Sequence, residues 1–332
     1  MIEQDLPLQN LNTLRLVSSA RLFSRFSDAA QLLSLQQRAE DEQLPLRVLG
    51  GGSNVLMPEC VDALVVQNES ARIREVSRDD MNCLVDVDAG MNWHEWVKKS
   101  IEYGHGLENL ALIPGTVGAS PIQNIGAYGV EAGEFIESVS GYQLSTRQLR
   151  TLSASECRFG YRDSVFKREL HQDFVILRVR FRLARQFSPV LSYSPLDALN
   201  RSTLTPENLI STVCEVRSSK LPDPKVTPNA GSYFKNPLVT KEWASSLKET
   251  FPAIPQYSHS DGIKLAAGWM IEQCGFKGKK VGPVAMYEKQ ALVLTAENNA
   301  TLADVQALQK QVQTQVFDKF GVWLEPEPQV FG

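Results

Sequence analysis

Residues 107–129 read LENLALIPGTVGASPIQNIGAYG. Glycines stand at 115, 118, 126 and 129, with polar Thr116, Ser120, Gln123 and Asn124 among them. That much glycine disfavours a helix. Ile113, Val117, Ile122 and Ile125 make the run too apolar for a solvated loop. Apolar walls carrying a few amides suit a flat, partly polar ring system. A buried structural loop is the plain alternative.

Upstream, GGGSN at 50–54 follows the strand-like Leu46–Leu49. Glycines let a main chain approach an anion closely, and successive N–H groups can form a phosphate nest. The run is neither Gly-x-Gly-x-x-Gly nor a P-loop, because no Gly-Lys-Ser/Thr follows. Alone it reads more simply as a tight turn. Two separated loops of phosphate-binding character in one chain point to a dinucleotide held without a Rossmann fingerprint.

The segments around these loops set the fold class. A helix over 28–38, then the strands 46–49 and 63–66, suggest a small α/β unit. Residues 84–88 alternate. Asn92 is placed to cap a helix with Trp93, Trp96, Val97 and Ile101 on one face, ended by Gly104. In 174–183, Val175, Leu177, Val179, Phe181 and Leu183 fall on one strand face; Arg178, Arg180 and Arg182 form a solvated row on the other. This portion reads as α+β with a mostly antiparallel sheet. Pro222, Pro224 and Pro228 make a stiff connector and put a boundary near 220. Beyond it helices are predicted from about Lys241 and Asp261, the second capped by Ser260 and followed by Gly275. A strand over 291–295 precedes a long helix capped by Thr301. Asp304 completes its capping box, and Val305, Leu308, Val312 and Val316 share its apolar face. Gly321 stops it.

Composition excludes several classes. The 332 residues are 43% hydrophobic, enough for a core, which rules out global disorder. With 38 acidic and 34 basic residues the formal charge is −4, against a basic nucleic-acid footprint. No run reaches the about 18 apolar residues of a membrane helix, and the N-terminus lacks a signal pattern. Five scattered cysteines without Cys-x-x-Cys, and four scattered histidines, suggest reduced thiols in a cytoplasmic protein and no metal site.

LGGGSNVL (49–56), the 107–129 run, FGYRDSVFK (159–167), SSKLPDP (218–224), NAGSYFKNP (229–237) and LEPEPQVFG (324–332) follow one another in a telling order and spacing. They resemble the MurB family of UDP-N-acetylenolpyruvoylglucosamine reductases over essentially the whole chain. The stretch around Tyr193 resembles its type I branch. The resemblance implies an FAD-binding fold of the p-cresol methylhydroxylase type, with two α+β subdomains and a C-terminal α/β substrate-binding domain. The expected divisions are 1–68 and 69–219 for the flavin and 220–320 for substrate, with the tail 321–332 returning to the active site. Electrons would pass from NADPH to non-covalent FAD, then to the enolpyruvyl group of a UDP-sugar, giving UDP-N-acetylmuramate for peptidoglycan synthesis. A monomer with no nucleic-acid or membrane partner is expected.

Residue by residue, the resemblance puts the proton donor on Ser232 and the active-site arginine on Arg162. The family's glutamate falls in the tail, where Glu325 and Glu327 share a strand face; the LEPEV-type ending favours Glu327. Pro328 and Gln329 stand where Val–Arg is usual. Flavin contacts fall on Gly50, Gly51, Gly52, Ser53, Asn54, Ile113, Gly115, Thr116, Val117, Gly118, Ala119, Ile122, Gln123, Asn124, Gly126 and Ile176. Substrate contacts fall on Tyr128, Tyr193, Lys220, Asn236 and Gln290. Lys220 as a point charge suits a diphosphate; Arg217 could add charge but is left outside the set. His105, between two glycines, invites a covalent flavin link of the kind known in the wider superfamily; it reads as a turn residue. The chemistry is consistent with these types: negative charge builds on the α-carbon and carboxylate after hydride addition, an arginine stabilises it, and a donor quenches the carbon. Two rivals remain at this stage, a small-alcohol oxidase on the same scaffold and a nucleotide-sugar-binding protein without turnover.

Overall fold

The computed structural model describes residues 1–332. The chain forms two compact units. The first comprises Met1–Leu6, Ala20–Gly52 and Asp62–Ser219; the second comprises Pro7–Ser19, Ser53–Val61 and Lys220–Gly332.

The first unit is built on a five-stranded sheet in the order Gln148–Ser153, Ile136–Gln143, Phe174–Ala184, Asn82–Asp88, Ile73–Arg78, antiparallel throughout. Val85, Val87, Val139, Val179, Phe181 and Leu183 form its buried face. Against them packs the helix Trp93–Ser100, capped by Asn92, whose side chain accepts from the Glu95 N–H. The Trp96 and Phe181 rings lie 5.3 Å apart. Burial of a side chain such as Phe181 contributes about 2–3 kcal/mol.

The central strand departs from the expected alternation. Ser140 pairs with Arg178 and Gly141 with Ile176, so Leu177 is an extra, bulged residue. The bulge reverses the phase: Ile176 joins Val179, Phe181 and Leu183, while Val175 and Leu177 turn to a second core with Phe26, Leu32 and Tyr142. That second core belongs to a four-stranded sheet, in the order Glu3–Pro7, Ser19–Phe26, Cys60–Asn68, Leu46–Leu49, covered by the helix Ala29–Asp41. Asp28 caps that helix.

The arginine row is also not a freely solvated face. Arg180 grips Asp86 at 2.6 Å, and Arg182 pairs with Glu137 at 2.7 Å. From the neighbouring strand Arg74 reaches Asp86 and Arg72 reaches Asp88, both at 2.9 Å. The Asp86 side chain is only 3% exposed. Burial pushes its carboxyl up, yet hydrogen bonds from Arg180 and Arg74 outweigh this and hold it below the ordinary value.

The second unit carries a sheet in the order Asn229–Ser232, Val293–Ala296, Val284–Met286, Lys280–Val281. The helix Leu302–Phe320 has the expected capping box at Thr301 and Asp304, buries Val305, Leu308, Val312 and Val316, and ends at Gly321 with φ +67°. The helix expected from Asp261 is absent. Gln256–His259 and Gly262–Leu265 instead form a hairpin, with Gly262 at φ +147° and His259 Nδ1 accepting the Asp261 N–H. Ser260 therefore lies in a turn, and the helix is the shorter Ala267–Gln273. The connector near 220 is entered by a helix that the pattern did not announce, Pro206–Lys220, which ends just before Pro222. No helix is long and apolar enough to cross a membrane.

Candidate active site

In the first unit the two glycine loops lie against each other. A Cβ on Gly51 would sit 2.8 Å from the Gly115 Cα, and one on Gly50 3.2 Å from Thr116 Oγ1. The loop at 115–119 is stitched down by main chain: Trp93 N–H to Gly115 O (3.1 Å), Val117 N–H to Met91 O and Gly118 N–H to Ala89 O (both 2.8 Å). A Cβ on Gly118 would meet the Ala89 Cβ at 2.6 Å. His94 Nδ1 accepts the Leu112 N–H at 3.0 Å just before the loop, and burial pulls this imidazole below its ordinary pKa. A neutral ring is what that acceptor role needs.

The remaining residues expected to meet the flavin divide by what their side chains do. Val117 is fully buried and Ile176 nearly so, both inside the core. Ile113 is half-buried and Ile122 is 37% exposed, leaving apolar surface beside the glycines. Asn124, at φ +47°, donates to Glu131 Oε2 and Gly160 O and accepts the Gly133 N–H, so its amide holds the loop. Ala119 and Gln123 are half-buried. The GGGSN run is divided: Gly52, at φ +62°, closes the first unit's share, while Ser53 and Asn54 belong to the second.

Arg162 sits in a turn closed by the Gly160–Asp163 bridge, with φ +56°. Its guanidinium donates to Gly126 O at 2.8 Å and lies 5.3 Å over the Tyr161 ring. Ser164 Oγ donates to Ile122 O at 2.6 Å, so this segment is fastened to the glycine run. Asn109, which the sequence reading passed over, donates to both Tyr128 O and Val190 O at 2.9 Å. It thereby ties the Tyr128 turn to the loop carrying Tyr193. A Cβ on Gly129 would stand 2.9 Å from the Tyr193 ring, which is 44% exposed. Arg217 is the second omission. Its Nε is buried and has no hydrogen-bond partner. Burial lowers its pKa; Tyr128 and Cys214 partly offset this, and Arg162 adds like-charge repulsion. A half-buried guanidinium whose inward Nε has no partner suits an anionic ligand. The arginine three residues before Lys220 was visible, but nothing in the sequence said that its Nε would be turned inward. His105 is engaged within the protein, with Glu108 at 3.1 Å and the Phe187 ring edge-on at 5.3 Å.

In the second unit Ser232 ends the strand Asn229–Ser232 and is exposed. Buried Asn229 shapes the approach: it donates to Pro222 O and Thr227 O and accepts the Gly231 N–H. Gly231 takes φ +67° with open space around its Cβ position. The tail runs beside this segment. Lys235 N–H donates to Glu325 O and Glu327 N–H to Tyr233 O, with Phe234 and Pro326 bridged between. This separates the two glutamates. Glu325 pairs with Lys235 at 2.9 Å and is 69% exposed; Glu327 is half-buried, in register with Tyr233, and its carbonyl accepts from the Asn54 amide. Gln329 and Val330 continue into a parallel pairing with Val55 and Leu56. Asn236 Oδ1 accepts the Ala267 N–H, and Gln290 Oε1 lies 3.0 Å from where a Gly268 Cβ would be. Both amides thus meet the first turn of Ala267–Gln273. Lys220 is exposed at the end of its helix.

Known proteins match this chain over its length. Residues 20–148 match the FAD binding domain model, and 223–331 match the model of the UDP-N-acetylenolpyruvoylglucosamine reductase C-terminal domain. The UDP-N-acetylenolpyruvoylglucosamine reductase of Escherichia coli (strain K12) is 46% identical over 327 residues, 98% of this chain and 95% of that protein. That of Salmonella typhimurium (strain LT2) is 49% identical over 304 residues, 91% and 89% of the two chains. The crystal structure of UDP-N-acetylenolpyruvylglucosamine reductase (MurB) from Thermus caldophilus superposes with a TM-score of 0.70 at 22% identity, covering 100% of this chain and 99% of that one. The fold is thus the FAD-binding α+β architecture expected from the motifs, and the chain belongs to the UDP-N-acetylenolpyruvoylglucosamine reductase family.

Proposed function

We propose that this protein uses NADPH and bound FAD to reduce the enolpyruvyl group of UDP-N-acetyl-3-O-(1-carboxyvinyl)glucosamine, forming UDP-N-acetylmuramate. The observation that carries the reading is 46% identity extending over 98% of the chain, so that it includes the glycine loops, NAGS and the tail together.

The residues present fit FAD. In the cradle a Cβ on Gly51 would strike the Gly115 main chain and one on Gly118 the Ala89 Cβ, and the exposed Ile122 and half-buried Ile113 flank these glycines. The main chain at 50–54 and 115–119 would hold the diphosphate, and the isoleucines would line the ring. FAD, when bound, carries the hydride from NADPH to the methylene carbon of the substrate. Every other task falls to the chain. Arg162 neutralises the substrate carboxylate as charge builds there. Ser232 Oγ gives its proton to the α-carbon and Glu327 supports that transfer, so the C=C bond becomes CH–CH3 with one hydride and one proton. Lys220 and Arg217 meet the diphosphate, Asn236 and Gln290 orient it, and Tyr128 and Tyr193 enclose the nucleotide sugar.

Residues 1–68 and 69–219 are assigned to the flavin and 220–320 to substrate. The protein is taken to act as a cytoplasmic monomer. The test is anaerobic: yellow protein should bleach with NADPH and regain colour when the enolpyruvyl nucleotide sugar is added, releasing UDP-N-acetylmuramate. Colourless protein that merely binds uridine nucleotides, or colour that returns only with oxygen, overturns the reading.

A further inference from the structure

Tyr233, the residue after Ser232, is fully buried and bonded at three points. Its N–H donates to Leu292 O and its carbonyl accepts the Glu327 N–H, both at 2.8 Å. Its hydroxyl donates to Gln309 Oε1 at 2.7 Å. Gln309 Nε2 donates to Gln313 Oε1 at 3.4 Å, one turn along the helix Leu302–Phe320. Gln313 Nε2 donates to Leu324 O at 2.8 Å, three residues before Glu327. The contacts close a ring: Tyr233 main chain to Glu327, back along the tail to Leu324, through two glutamines, to the Tyr233 hydroxyl.

Gln313 is only 6% exposed and stands among Val312, Val316 and Leu308. A buried amide on the apolar face of an amphipathic helix needs its partners. Leucine would fill that face equally well but would leave Leu324 O unbonded. Burial also raises the pKa of the Tyr233 hydroxyl, so it remains a donor at any working pH.

We infer that Tyr233, Gln309 and Gln313 are positioning residues, whose hydrogen-bonded ring holds the Glu327 segment in register beside Ser232 and so sets proton delivery to the α-carbon. The inference rests on the function proposed above for Ser232 and Glu327.

Tyr233→Phe removes one hydroxyl and nothing else; Gln313→Leu cuts the ring on its far side. In anaerobic stopped-flow, both variants should retain flavin and be reduced by NADPH at the wild-type rate. Reoxidation by the enolpyruvyl nucleotide sugar at saturation should slow about five- to twentyfold, the size of a lost buried hydrogen bond. The concentration giving half the maximal rate should stay within twofold. The double variant should be no slower than the worse single one, because one broken link already opens the ring. Singles that reoxidise within twofold of wild type, equal slowing of both half-reactions, or additive losses overturn the inference. Wild-type protein that the nucleotide sugar fails to reoxidise overturns the functional reading, and the inference with it.

Discussion

The first unit fixes its loops with main chain and glycine, whereas the second fixes Ser232 with side chains. At Gly51 a Cβ would strike the Gly115 backbone; at Gly231 it would meet nothing within 4 Å. One glycine is required for space and the other for its φ of +67°. Around Ser232 the work passes to side chains, the neighbouring Asn229 and Tyr233 together with Gln309 and Gln313 from a helix some eighty residues on. A backbone-made site writes itself into residue identity. A site completed by side-chain partnerships also draws on distant positions, and Gln309 and Gln313 leave no signature beside Ser232.

Four experiments would break or sharpen that contrast. Ser232→Ala should leave reduction by NADPH intact and slow reoxidation by the nucleotide sugar about a hundredfold or more; equal survival of both half-reactions would remove Ser232 from its role. Asp86→Ala strips the carboxylate that Arg180 and Arg74 share, and should destabilise the first unit by about 3 kcal/mol. Hydrogen exchange of the Phe174–Ala184 amides measures this directly, and the strand Asn229–Ser232 should be spared. The glycine pair comes next. Gly51→Ala should weaken flavin retention about tenfold or more, as overpacking against backbone costs about 1–3 kcal/mol. Gly231→Asn, a residue that tolerates a left-handed backbone, should keep most activity, whereas Gly231→Val should not. Equal tolerance at both positions would erase the contrast.

The smallest effect concerns pH. His94 has a lowered pKa in the folded protein, so the unfolded chain binds more protons as pH falls below the ordinary 6.5. The stability that neutral His94 provides is therefore complete above about that pH and declines below it. Flavin release should show this modest acid sensitivity, and His94→Gln should flatten it. Asp86 acts later: its depressed pKa contributes stability above the ordinary 3.8 that is lost as pH falls through the lower folded value.

The two glycine loops and the NAGS segment were legible as turns because their backbone demands select glycine. The capping box at Thr301 and the stop at Gly321 were legible for the same local reason. The bulge at Leu177 was not, because the alternation of residues 174–183 is unbroken and only pairing with Ile136–Gln143 inserts the extra residue. The helix Pro206–Lys220 escaped notice because it buries little beyond Leu209, Ile210 and Val213. The hairpin at 256–265 looked helical because Ser260 and Asp261 imitate a cap, while Gly262 decides for a turn. Arginines 178, 180 and 182 read as solvated because their partners Asp86 and Glu137 lie on other strands.

The second unit draws on both extremes of the chain. Residues 8–18 bond to segments near the far end: Asn229 N–H to Thr13 O, Val17 N–H to Ala300 O, and the Gln9 amide to Asn298 O, 289 positions away. During synthesis at about 5–20 residues per second, that early segment waits about 15–60 s for its partners to be made. The first unit can draw together as soon as residue 219 has emerged. Residues 7–19 and 53–61 must meanwhile wait on the nascent protein without their C-terminal partners, which makes them the stretch where a chaperone or a protease would find the unfinished molecule.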